Sequence, residues 1–111
     1  MDAPDKDAAA KKIAALNDAF RTTFRGGRVV MTSGVSELPE SVKVAALKMV
    51  VEFNDFTDEN DPYREHDFGS FELVNQKFFW KIDLYEEPDI KNANGEPVVM
   101  RVLTIMLAEE Y

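Results

Sequence analysis

The chain's only histidine, His66, sits in the densest run of titratable side chains: Asp58, Glu59, Asp61, Arg64, Glu65, His66 and Asp67. Such groups, brought together on a loop, can do two kinds of chemistry. His66 could act as a general base oriented by Asp67 or Glu65, or the imidazole and carboxylates could hold a divalent cation beside a phosphate ester or nucleotide. The catalytic candidates are therefore His66, Asp61, Glu65 and Asp67. A calcium loop of the EF-hand kind does not fit: with Asp58 first, Pro62 falls fifth, Tyr63 replaces the glycine at the sixth position, and Gly69 falls twelfth. With one histidine and no cysteine, a metal centre would rest mostly on carboxylates, and neither a metal nor a cofactor is expected.

The same residues have a structural reading, which the spacing favours, because adjacent side chains seldom converge on one point. Asn60 and Asp61 can cap turns, Pro62 can stiffen the loop, and His66 and Asp67 can bond backbone groups where the loop enters a sheet. In a third reading the loop binds a partner, with Tyr63 and Arg64 among the carboxylates of Asp58, Glu59, Asp61 and Glu65. A second cluster, Phe78-Phe79-Trp80-Lys81, looks like a platform for stacking bases. Period two places Phe78, Trp80, Ile82 and Leu84 on one face as core. Phe79, Lys81, Asp83 and Tyr85 remain on the other, where Asp83 opposes a phosphate role. Phe79, Lys81 and Tyr85 are thus candidate partner contacts. Gly26-Gly27 precedes a strand and is no phosphate loop, and Ser33, Ser36, Ser41 and Ser70 have turn, cap or strand explanations that leave no nucleophile.

The elements that must position these groups follow from hydrophobic spacing. Ile13, Leu16, Phe20 and Phe24 predict an amphipathic helix over about 7–24, stopped by Gly26-Gly27, and Arg28 to Thr32 reads as a short strand. Ser36 as N-cap and Pro39 in the first turn predict a second helix over about 37–54 with Leu38, Val42, Ala45, Ala46, Met49 and Phe53 inward. Residues 57–67 form a loop. Phe71 and Leu73, then Phe78 to Leu84, predict two antiparallel strands joined at Asn75-Gln76, and after a polar excursion over 87–97 the apolar run 98–107 predicts a central strand. The expectation is an α+β fold: two helices packed on a four-stranded, mainly antiparallel sheet, in the order helix, strand, helix, strand, strand, strand.

A chain of 111 residues, 45% of them apolar, supports one domain, here 7–111 behind a disordered segment 1–6. No run of residues is apolar enough to cross a membrane, the N-terminus is acidic where a secretory signal would be basic, and a cytoplasmic location is expected. The net charge of −8 is uneven, since residues 1–51 carry 8 basic and 6 acidic side chains and residues 52–111 carry 5 and 15. That field disfavours direct nucleic-acid binding and favours a basic protein as partner.

Several blocks in order, Leu16-Asn17-Asp18-Ala19-Phe20-Arg21, Gly27-Arg28-Val29-Val30, Asn60-Asp61-Pro62-Tyr63 with Glu65-His66-Asp67-Phe68-Gly69, Phe79-Trp80-Lys81-Ile82-Asp83, and Arg101 to Ala108 with Tyr111, resemble an uncharacterised bacterial family, DUF3768. The resemblance runs from about residue 13. It implies a small single-domain protein, often encoded near plasmid and other mobile-element genes, and it carries no activity or catalytic residue.

The leading functional expectation is a non-enzymatic binding or regulatory protein whose acidic half meets a basic protein surface, one version being an inhibitor that mimics DNA. The alternatives are a small enzyme built on the histidine and carboxylates, acting on a phosphate ester or nucleotide, and an oligomeric structural module whose strands pair between chains.

Overall fold

The computed structural model describes the backbone of residues 4–111 and the side chains of residues 7–111. The chain runs through helix α1 (Pro4–Thr23), strand β1 (Gly27–Met31), a single-turn helix α2 (Ser33–Ser36), helix α3 (Glu40–Glu52), strands β2 (Phe68–Leu73), β3 (Gln76–Lys91) and β4 (Pro97–Leu107), and a final 3-10 turn, Ala108–Glu110. Of the segment expected to be disordered, residues 1–3 lie outside the described residues, and the chain is helical from Pro4.

The sheet order is β1-β4-β3-β2. The pairings β2–β3 and β3–β4 are antiparallel, but β1 pairs with β4 in parallel, so the sheet is mixed. The parallel pair follows from connectivity. The long crossover through α3 carries the chain from one edge of the sheet to the other, two hairpins then reverse it twice, and β4 returns beside β1 in the same direction.

Among the described residues three α-helices replace the two expected. Residues 33–36 form a separate turn, and Pro39, with φ −55° and ψ 149°, stands outside α3 as its N-cap, so no single helix covers 37–54. Ser36 closes α2 and does not cap the longer helix. The first hairpin turns at Val74 and Asn75, both at positive φ, one residue earlier than expected, and β3 and β4 extend through most of the region read as a polar excursion.

One face of the sheet carries the core. Phe78, Trp80 and Ile82 of β3 lie opposite Leu107, Ile105 and Leu103 of β4, and Phe20 of α1, Val35 of α2 and Ala46 and Val50 of α3 close over them. The buried stripe of α1 departs from the apolar pattern: Leu16 is exposed, whereas Asn17 and Arg21 are buried beside Ala14 and Phe20. Gly69 is required by a close approach, since a Cβ there would stand 2.4 Å from Trp80 Nε1 and 2.8 Å from the Phe53 ring. On the opposite face Phe79 is half-buried under Phe68 and Tyr111, at ring separations of 5.2 Å to each.

Beyond the body, β3 and β4 continue as a two-stranded ribbon. The pairing of β3 with β2 ends at Lys81 and that of β4 with β1 ends at Arg101, leaving Leu84–Lys91 and Pro97–Met100 flanked only by each other. The radius of gyration is 15.6 Å, where a compact domain of this length would have about 13 Å.

Candidate functional site

The loop between α3 and β2 is held in place by buried polar groups. Asp61, 5% exposed, accepts hydrogen bonds on Oδ1 from the backbone N–H groups of Glu65 and His66, each at 3.2 Å, and its own N–H donates to the Thr57 carbonyl. Arg64 and His66 both take positive φ, 57° and 56°, a conformation that side chains other than glycine, asparagine and aspartate adopt at a cost. The Asp61 carboxylate offsets that cost by receiving the N–H groups that the tight turns leave pointing inward.

His66 is gripped from three sides. Its ring stacks on Phe56 with centroids 3.9 Å apart and planes within 3°. Its Nδ1 lies 2.9 Å from Asp18 Oδ2, and its Nε2 lies 3.7 Å from Asp61 Oδ2. The nearer carboxylate comes from α1 and not from Asp67 or Glu65. Asp18 also accepts from Arg21 Nη2 at 2.9 Å. Arg21 reaches past it to donate through Nη1 to the carbonyls of Val50, Val51 and Phe53, at 2.7, 3.2 and 2.9 Å, and its guanidinium stands over the rings of Phe56 and Trp80. The last carbonyls of α3, which have no partner within the helix, thus find one in α1. Asn17 completes the frame: its Nδ2 donates to the Glu65 carbonyl, and its Oδ1 accepts from Arg101 Nε, both at 2.8 Å.

Asp18, Arg21, Phe56, Asp61 and His66 therefore join α1, the end of α3 and the loop. The imidazole stands between two carboxylates that approach opposite edges of its ring, so the three groups do not point at one shared centre, and among the described residues no group of three or more such side chains is placed to hold a metal ion. The hollow over His66 holds about 130 Å³ and is lined by Phe56, Thr57, Asp58, Asp61, Arg64 and His66. Pockets that enclose small molecules usually run to about 300 Å³ or more.

The remaining sequence candidates are dispersed. Glu65 contributes its carbonyl to Asn17. Asp67 gives its carbonyl to the Ile82 N–H, and partial burial, reinforced by the charges of Asp61 and Asp83, raises its carboxyl above the usual range. Asp58 pairs with Arg64 at 3.0 Å in the open, Glu59 is exposed, and Tyr63 is 78% exposed. Lys81 pairs with Asp83 at 3.1 Å on the open face of the sheet, where Tyr85 is exposed at the root of the ribbon.

Asn17, Asp18 and Arg21 were not among the sequence candidates. The signal available for them was polar side chains at positions where an apolar stripe, Ile13, Ala14, Phe20, Phe24, should have continued. A third anchor lies at the C-terminal end, where Glu110 accepts from the Thr32 hydroxyl and the N–H groups of Gly34 and Leu107. The hydroxyl and backbone donors hold its carboxyl below the usual range.

A family model described as a protein of unknown function, DUF3768, matches residues 31–110. That stretch contains Phe56, Asp61, His66 and the Glu110 anchor, while Asn17, Asp18 and Arg21 precede it. The chain matches no curated protein and no solved structure. Covering most of the chain, the match from β1 to the 3-10 turn places it in the DUF3768 family of proteins of unknown function.

Proposed function

We propose that this protein is a non-enzymatic binding protein whose acidic half contacts a basic surface on another protein. The observation that carries this reading is a division of labour among its polar groups. The residues that resemble a catalytic set are committed to the frame: Asp61 to two backbone N–H groups, and His66 to Asp18 and the Phe56 ring. The ribbon, by contrast, carries Glu86, Glu87, Asp89 and Glu96 against the single Lys91, and none of the four carboxylates makes an ion pair with another of the described residues. Leu84, Tyr85, Ile90 and Val99 stand among them, each more than half exposed. Exposed apolar and aromatic side chains within a ring of like charge are the composition of a contact surface, with the charges supplying encounter rate and selectivity.

Affinity capture at low and moderate salt tests the proposal. The intact protein retains a basic partner at low salt and loses it as salt rises. The variant Glu86→Gln/Glu87→Gln/Asp89→Asn/Glu96→Gln retains at least tenfold less, and His66→Ala retains as much as the parent. Unchanged retention by the ribbon variant, or loss with His66→Ala in a folded protein, contradicts the reading.

A further inference from the structure

The ribbon has two free edges, and they are chemically different. The Ile82 N–H donates to the Asp67 carbonyl at the end of β2, so even-numbered residues of β3 direct their backbone groups away from β4. Leu84 and Glu86 continue that alternation beyond the point where β2 begins, and their N–H and C=O groups face outward with no partner among the described residues. Pro88, next in the alternation, has no N–H and ends the edge. The free stretch is therefore short and bounded by the Asp67 loop and by Pro88.

On the other side of the ribbon the Ile105 carbonyl accepts from the Thr32 N–H, so odd-numbered residues of β4 face β1, and Val99 lies on the free edge there. That edge ends at Pro97 and runs back toward Arg28 and Arg101, which stand at the β1 end of the sheet. The β3 edge runs back instead toward Asp67, whose carboxyl is raised by burial and by the charges of Asp61 and Asp83.

We infer that the free edge of β3 at Leu84 and Glu86 receives an extended, lysine- or arginine-bearing segment of a partner protein as an added strand. This rests on the reading of the protein as an acidic binding module and names the place and form of the contact. The four outward backbone groups supply two residues of ladder. Side chains of the added strand alternate, so those above one face meet Leu84 and Glu86 and those above the other meet Tyr85 and Glu87. Each face offers one apolar neighbour and one carboxylate, which selects a strand in which basic and apolar residues are both present on each side. A second copy of this chain is a poor occupant, since pairing two ribbons would bring Glu86, Glu87 and Asp89 against their own like charges and Pro88 against a position that needs a donor.

The probe is a synthetic ten-residue peptide of arginine, valine, lysine and threonine, ordered so that each face of the strand carries both types, with a control in which glutamate replaces the basic residues. Backbone amide exchange is followed by NMR on the full-length protein, and affinity by fluorescence anisotropy. The basic peptide slows exchange at Leu84 and Glu86 at least tenfold, and the acidic control leaves it unchanged. Leu84→Pro, which removes an outward N–H and keeps every charge, weakens binding at least tenfold, whereas Leu84→Thr, which keeps that N–H, stays within about threefold. Melting followed by circular dichroism verifies that both variants are folded. Equal affinity of Leu84→Pro and Leu84→Thr, or binding without slowed exchange at the two amides, overturns strand addition. If the charge-neutralised ribbon still loses the captured partner in that case, the broader reading survives and the edge alone is wrong. If the intact protein binds no basic partner by either assay, both fall.

Discussion

Arg21 does the most of any single residue to join the elements. It is buried, anchors on Asp18, and satisfies three carbonyls at the end of α3. Removing it leaves the Val51 and Phe53 carbonyls without that donor, the Val50 carbonyl with only the Phe53 N–H, and Asp18 without its guanidinium, so Arg21→Ala is expected to cost about 3 kcal/mol or more of unfolding free energy. Arg21→Lys keeps the charge and loses the planar fork, and recovers only part of that loss in denaturant titrations. For His66, which on truncation loses a stacked ring, the close contact with Asp18 and the longer one with Asp61, about 1–2 kcal/mol is expected. Two carboxylates set opposite pH dependences. The Glu110 carboxyl is lowered from 4.5, so its contribution is present above that value and fades as pH falls through the folded-state pKa. The Asp67 carboxyl is raised from 3.8, so its protonated form favours the fold below that value and the benefit is lost as pH rises. Thermal melts should show Glu110→Gln destabilised at pH 7 and close to the parent in acid, and Asp67→Asn stabilised at pH 7 with the gain vanishing in acid. The same sign for both variants at pH 7 would contradict these assignments.

At the level of elements, the first hairpin carries visible strain. Val74 sits at φ 50° in a two-residue turn, a conformation that penalises a β-branched side chain. Because Val74 is exposed, Val74→Asn relieves the turn without emptying the core and should stabilise by about 0.5–1 kcal/mol. Gly69→Ala forces a Cβ into the Trp80 indole and should destabilise by more than about 2 kcal/mol. Urea midpoints check both. The sequence pattern made several of these elements legible. The alternation of Phe78, Trp80 and Ile82 placed the core face of β3, but Leu84, expected on that face, is exposed because β3 has by then run past β2 into the ribbon; the doubly apolar run 98–107 gave a strand that does sit inside the sheet. Helix boundaries were less legible around Pro39, which fits the first turn of a helix and also the residue before one. The extension of β3 past Pro88 was hidden because Asn92, Asn94, Gly95 and Pro97 are turn formers, and nothing in their types says how far the strands run before the turn.

At the scale of the whole molecule, the limits of the sequence are topological. The parallel pairing of β1 with β4 depends on which edge the crossover reaches, and no local pattern records that. The partner of His66 likewise lies 48 residues away on α1, so the run Glu65-His66-Asp67 pointed to neighbours in sequence while the fold supplied a neighbour in space. What composition did show was the excess of acid in the second half, and the structure gives part of that excess a shape, a ribbon that leaves the body. Because no residue from Glu86 to Val99 is buried, and Tyr85 pairs with Met100, replacing residues 86–99 with an Asn-Gly turn should leave the melting temperature within a few degrees of the parent. The most direct test of the account is partner retention by that shortened protein at low salt. The expected result is a folded protein that has lost its basic partner. Retention equal to the parent would contradict it and move the binding surface to the loop at Asp58, Glu59 and Tyr63.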